Sequence, residues 1–282
     1  MRLLPRIVAA LAAALIVPAV LAGAASAAVP GLSLVTKTSP VSSLNKSELA
    51  FCPSGTALLG AGGGLGGGLG EVTLDDVNLE GTVAGSAFGR EDADGFASSW
   101  SVRASAVCAL PLPGLQLVSA FSASNSATKS VVATCPAGKR VVGAGAELNT
   151  IAVGGVTLDD LRPSSDLTSV TVLAREMDGG IPSNWTVRAR AMCAFPPAGL
   201  QRVTAHSTSA SFVANSTSAV CPGGKKVLGG GAEITGGFGR VVLKQMQPNG
   251  STLSSIVASA AETQGGQPAN WDVAAYAICA SV

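Results

Sequence analysis

Three near-copies of one unit follow one another along this chain, and no other feature restricts its fold as much. The stretch CPAGKRVVGAGAEL (135–148) returns as CPGGKKVLGGGAEI (221–234) and, more altered, as CPSGTALLGAGGGL (52–65). Each unit opens on Gly-Leu-x-x-Val, at Gly31, Gly114 and Gly199. Each closes on a Trp-led segment that ends at a second cysteine: WSVRASAVCA (100–109), WTVRARAMCA (185–194) and WDVAAYAICA (271–280). Repetition at a fixed period signals one supersecondary unit used several times. The repeats cover 28–113, 114–198 and 199–282, after a leader at 1–27.

The chain serves as its own alignment. Two cysteines fall in each repeat: Cys52 and Cys108, Cys135 and Cys193, Cys221 and Cys279, separated by 56, 58 and 58 residues. The repetition selects one disulfide inside each repeat from the many connectivities that six cysteines allow. Closing a loop of that length stabilises a unit by about 4 kcal/mol in the chain-entropy model. Two glycines recur after each first cysteine: Gly60 and Gly62, Gly143 and Gly145, Gly229 and Gly231. Glycine weakens a strand unless something must approach closely, so the expectation is that the Trp ring or a neighbouring backbone packs there. A phosphate-cradling loop does not fit, because no glycine-rich turn runs from a strand into a helix with the required Lys. Val, Ala, Ala and Cys alternate after Trp100, Trp185 and Trp271, which describes a half-buried strand with Trp and Cys inward.

Short runs of small and β-branched residues, broken by Gly and Pro, predict an all-β fold of three tandem antiparallel repeats with five to six strands each. In the middle repeat the strands are expected near 115–122, 129–135, 139–148, 155–162, 167–176 and 184–194. The joins LPLPG (110–114) and FPPAG (195–199) are short and contain proline, so the repeats form either a rigid row or a closed pseudo-threefold body. The immunoglobulin topology is disfavoured: each Trp precedes the second cysteine instead of following the first, and Tyr276 is misplaced for a tyrosine corner. The glycine-rich GAGGGLGGGLG of the first repeat predicts a flexible loop.

The leader has Arg2 and Arg6, an apolar run from Ile7 to Gly23 and the small-residue box Ala25-Ser26-Ala27. This is the pattern of a secretory signal peptide, so the protein is expected to be secreted to the extracellular space, where disulfides persist. Without the leader's two arginines, the chain's 18 Lys+Arg become 16 against 17 Asp+Glu. Such a balance gives no basic field for nucleic acid and no attraction to an anionic membrane, and no membrane insertion is expected after cleavage.

Chemistry-bearing residues are scarce. His206 is the one histidine, and a nearby serine means little in so Ser-rich a stretch. The cysteines are consumed by the bridges, so neither a thiol nucleophile nor a Cys/His zinc site is expected. Asp75-Asp76 recurs as Asp159-Asp160, but the third repeat has Lys244-Gln245. Calcium at these aspartates is a weak candidate, and solvated strand ends are the main expectation, since adjacent strand residues face opposite ways. Glu91, Glu176 and Glu262 recur, each followed by a turn glycine, and are read as accepting backbone N–H groups across that turn. No second carboxylate recurs to complete a general-acid pair. The recurring set builds a scaffold and implies no catalytic residues, metal or cofactor.

Taken together, C-P-x-G-x-x-V-x-G-x-G early and A-x-C-A late resemble a repeat of exported proteins of actinobacteria and other bacteria. The resemblance spans nearly all of the chain beyond the leader and implies no particular activity. The leading expectation is a non-enzymatic exported protein that binds cell-wall or environmental polysaccharide, with tandem copies supplying avidity. The alternative is a protein-binding module, an inhibitor or adhesin, using the loops 149–155 and 234–239. A hydrolase is the remote alternative.

Overall fold

The computed structural model describes residues 27–149 and 154–282; the leader up to residue 26 lies outside them. Repeat 1 forms β1 (Ser33–Thr38), β2 (Lys46–Phe51), β3 (Ala57–Gly66), β4 (Val72–Glu80), β5 (Ala84–Glu91) and β6 (Ser101–Ala109). Repeat 2 forms β7 (Gln116–Phe121), β8 (Lys129–Thr134), β9 (Arg140–Asn149), β10 (Val156–Pro163), β11 (Ser169–Glu176) and β12 (Thr186–Ala194). Repeat 3 forms β13 (Gln201–His206), β14 (Ala214–Val220), β15 (Lys225–Thr235), β16 (Val241–Pro248), β17 (Ser255–Glu262) and β18 (Asp272–Ser281). The middle repeat matches its expected strands to within two residues at every boundary described.

These strands make three six-stranded antiparallel sheets, and no sheet belongs to a single repeat. The orders are β1-β6-β3-β16-β17-β14, β2-β5-β4-β9-β12-β7 and β13-β18-β15-β10-β11-β8. The first, sixth and third strands of a repeat form one half-sheet, and its second, fifth and fourth strands form another. Each half-sheet is completed by the complementary half of a different repeat: β3 joins β16, β9 joins β4 and β15 joins β10. The three seams close a cycle. Of the two arrangements left open by the sequence, this is the closed pseudo-threefold body.

Each disulfide holds one corner of it. Cys52 follows β2 in one sheet and Cys108 lies on β6 in another. Cys135–Cys193 and Cys221–Cys279 link the other two pairs of sheets in the same way. All three have Cα atoms 5.7 Å apart, within the ordinary range for such bridges.

The recurring glycines explain how three sheets meet. A β-bulge before each first glycine, at Leu59, Val142 and Leu228, bends the strand inward. Gly60, Gly143 and Gly229 then converge. A Cβ on Gly143 would lie 1.9 Å from the Leu59 carbonyl oxygen and 2.8 Å from the Gly60 Cα. One on Gly229 would lie 2.8 Å from the Gly143 Cα, and one on Gly60 2.6 Å from the Gly229 Cα. The second glycines, Gly62, Gly145 and Gly231, face β16, β4 and β10 across the seams. Neighbouring backbone therefore fills the bare face, and the Trp ring does not. In repeat 1 the run Gly60–Gly66 is strand, correcting the expected loop; only Gly67–Gly70 turn.

Trp100, Trp185 and Trp271 are fully buried. Their indole N–H groups donate to Glu91, Glu176 and Glu262, at 2.7, 3.4 and 2.9 Å. The recurring glutamate thus serves chiefly the indole; a backbone N–H, that of Phe96 at 3.3 Å, joins it in the first repeat. This spacing puts the partner of a buried ring polar group inside the same repeat. Lys46 and Lys129 lie over Trp100 and Trp185, 3.9 and 4.0 Å from the ring centres, whereas Asn215 occupies that place in repeat 3.

Candidate functional site

The fourth strands carry a second bulge, at Asp75, Asp159 and Lys244. A bulge breaks strict alternation, so adjacent residues both turn toward protein. Asp75 and Asp159 are buried, which overturns the expected solvated strand end. Asp75 accepts from Arg90 Nε at 2.5 Å, and Asp159 pairs with Arg175 in the same way. Asp75 is raised to about 6 by burial, partly countered by Arg90. Asp76 is raised to about 7 by burial and by the charge of Asp75, although its Oδ1 accepts the Leu148 N–H at 2.6 Å. Asp160 reaches about 7 through burial and the charges of Asp159 and Glu233. Among the described residues no three His, Cys, Asp or Glu side chains gather as a metal site.

The seams hold the most varied polar chemistry. β4 and β9 touch at a single register pair, Val77 and Ala146. Side chains of two repeats meet across this seam. Asn78 Nδ2 donates to Glu80 Oε1 at 2.9 Å and to Glu147 Oε2 at 3.2 Å. Ser86 donates to Glu80 at 2.7 Å. Glu147 is also held by Arg188 and by Arg190 Nη2, the latter at 3.1 Å, while Arg190 donates to the Leu79 carbonyl. The result is a groove of about 380 Å³ whose walls include Asp76, Asn78, Glu80, Glu147, Asn149 and the ring of Phe88.

The other two seams have the same backbone and different contents. Between β15 and β10, Arg162 donates to Glu233 at 2.8 Å and Tyr276 donates to the same carboxylate. Arg202 lies over the Tyr276 ring, and its Nη1 reaches the Pro163 carbonyl at 2.6 Å. These side chains occupy the seam themselves. Between β3 and β16, Gly64 stands where the other repeats have Glu147 and Glu233, and the hollow beside Gln245 and Gln247 is about 180 Å³.

His206 lies on an exposed edge, with Nδ1 3.2 Å from Asp272. The recurring motifs do not include Asn78, Glu80, Glu147, Arg188 or Arg190. The sequence does mark four of them: Glu80, Glu147, Arg188 and Arg190 are polar where a sister repeat carries Ser, Gly or Ala, whereas Asn78 has Arg162 and Gln247 at its place. Of the loops expected to carry specificity, 234–239 forms the strand end and turn before β16, and part of 149–155 lies outside the described residues. No protein-family model matches this chain, and no curated protein is similar to it.

Proposed function

We propose that this is an exported, non-enzymatic binding protein that takes a hydroxyl-rich ligand, a cell-wall or environmental polysaccharide, in the groove between repeats 1 and 2. The observation that carries the reading is the lining of that groove: fixed carboxylate and amide groups beside one aromatic ring. Carboxylates and amides engage sugar hydroxyls in pairs, and a ring covers the apolar face of a pyranose. Glu80 and Glu147 are each gripped by neighbouring donors, which suits a rigid array of acceptors better than acid–base work. The three disulfides suit an oxidising extracellular setting.

The buried Trp residues provide no sugar platform, and the seams differ in chemistry. Both points favour one main groove over three equal sites acting by avidity. The test is cosedimentation of the full chain without its leader with peptidoglycan, chitin and cellulose, beside a Phe88→Ala/Asn149→Ala variant. Retention on one polymer that falls in the variant supports the reading. No retention on any polymer, or equal retention of the variant, overturns it.

A further inference from the structure

A second cavity lies beside a departure in repeat 3. In repeats 1 and 2 the bulged aspartate of the fourth strand pairs with an arginine on the fifth: Asp75 with Arg90 and Asp159 with Arg175. Repeat 3 has Lys244 and Ala261 at these places; Val242 pairs with Ala261 as Thr73 pairs with Arg90 and Thr157 with Arg175. Where β3 turns toward β4 above repeat 3, an open cavity of about 720 Å³ is present. In the equivalent place between repeats 3 and 2, Phe238 lies over Arg175, with the ring centre 5.9 Å from the guanidinium carbon.

Lys244 is 8% exposed and lines this cavity. It donates to the carbonyls of Gly68 and Val72, the second at 2.6 Å. An ammonium has three N–H groups, so one remains beyond these two acceptors. Among the described residues no carboxylate lies within ion-pair distance of Lys244. Burial holds its pKa down to about 7, the signature of a cation that lacks a counter-charge. Around it, Leu65, Leu69 and Phe96 supply apolar walls, and Asn215 and Ser216 supply polar ones.

We infer that this cavity binds a small monocarboxylate with an apolar body, the carboxylate meeting Lys244 and the body lying against Leu65, Leu69 and Phe96. The volume falls in the range of about 300–1,000 Å³ usual for small-molecule sites. The ligand anion faces Lys244 as Arg90 and Arg175 face the aspartates of the sister repeats, with the charges exchanged.

Calorimetric titration of the full chain without its leader tests this, using hexanoate, decanoate and phenylacetate, each beside its uncharged amide. At least one acid is expected to bind saturably, with its amide weaker by about tenfold or more, the worth of a hydrogen bond to a charged partner. A Lys244→Asp/Ala261→Arg variant restores the pair that the other two repeats tolerate, so it is expected to fold, with cooperative thermal unfolding as the check, and to lose this binding. A Lys244→Met variant, which keeps the cavity, is expected to bind acid and amide equally. Absence of saturable binding by all three acids, equal affinity of the parent for acid and amide, or undiminished binding in the restored pair would each overturn the inference. The site is distinct from the polysaccharide groove, so either can fail without the other.

Discussion

At the level of single residues, the buried polar groups decide stability. Each indole N–H has one carboxylate partner, and removing it leaves a buried donor unsatisfied. Glu262→Ala is expected to destabilise the protein by about 1–3 kcal/mol, and Glu262→Gln, which keeps an acceptor, by less; denaturant unfolding of the two variants checks this. Asp76 sets a pH dependence. Its folded pKa of about 7 exceeds the ordinary 3.8, so folding takes up a proton between these values. Its contribution is therefore most favourable below about 4 and declines as pH rises toward 7. Asp76→Asn keeps an oxygen to accept the Leu148 N–H and removes the titration. It is expected to flatten the fall in melting temperature between pH 4 and about 7, and an unchanged pH profile would contradict this assignment.

Among the strands, the bulge followed by glycine is the controlling device. It lets β3, β9 and β15 approach at the pseudo-threefold axis with no side chain between them. Gly143→Ala puts a methyl 1.9 Å from the Leu59 carbonyl oxygen, against the backbone of β3. A loss of about 3 kcal/mol or more is expected, at the upper end for overpacking. Gly223→Ala, where nothing lies within 4 Å, is expected to be close to neutral. Comparing their thermal unfolding separates a packing requirement from a general intolerance of substitution.

For the whole molecule, the exchange of half-sheets matters most. A single repeat holds two three-stranded half-sheets whose third- and fourth-strand edges are paired only by other repeats. Unpaired sheet edges are templates for association. Residues 114–198 made alone are expected to assemble as a closed homotrimer instead of standing as a folded monomer, and light scattering after size exclusion would decide it. A folded monomer would show that the seams are dispensable. The seams are also where the repeats have diverged: one is an acid- and amide-lined groove, one is filled by Arg162, Glu233 and Tyr276, and one holds only a small hollow. The scaffold keeps its symmetry while the sites lose theirs.

The repeated pattern alone determined the all-β class, the strand positions, the disulfide pairing and the inward Trp, because these depend on local periodicity and on residues recurring at fixed spacing within one repeat. Only the tertiary structure decided the rest. Which repeat completes which sheet is a long-range choice between chemically similar strand edges, so it leaves no local mark. The burial of Asp75 and Asp159 depends on a bulge that breaks alternation. The groove and the Lys244 cavity form from residues far apart in the chain, brought together when the cycle closes.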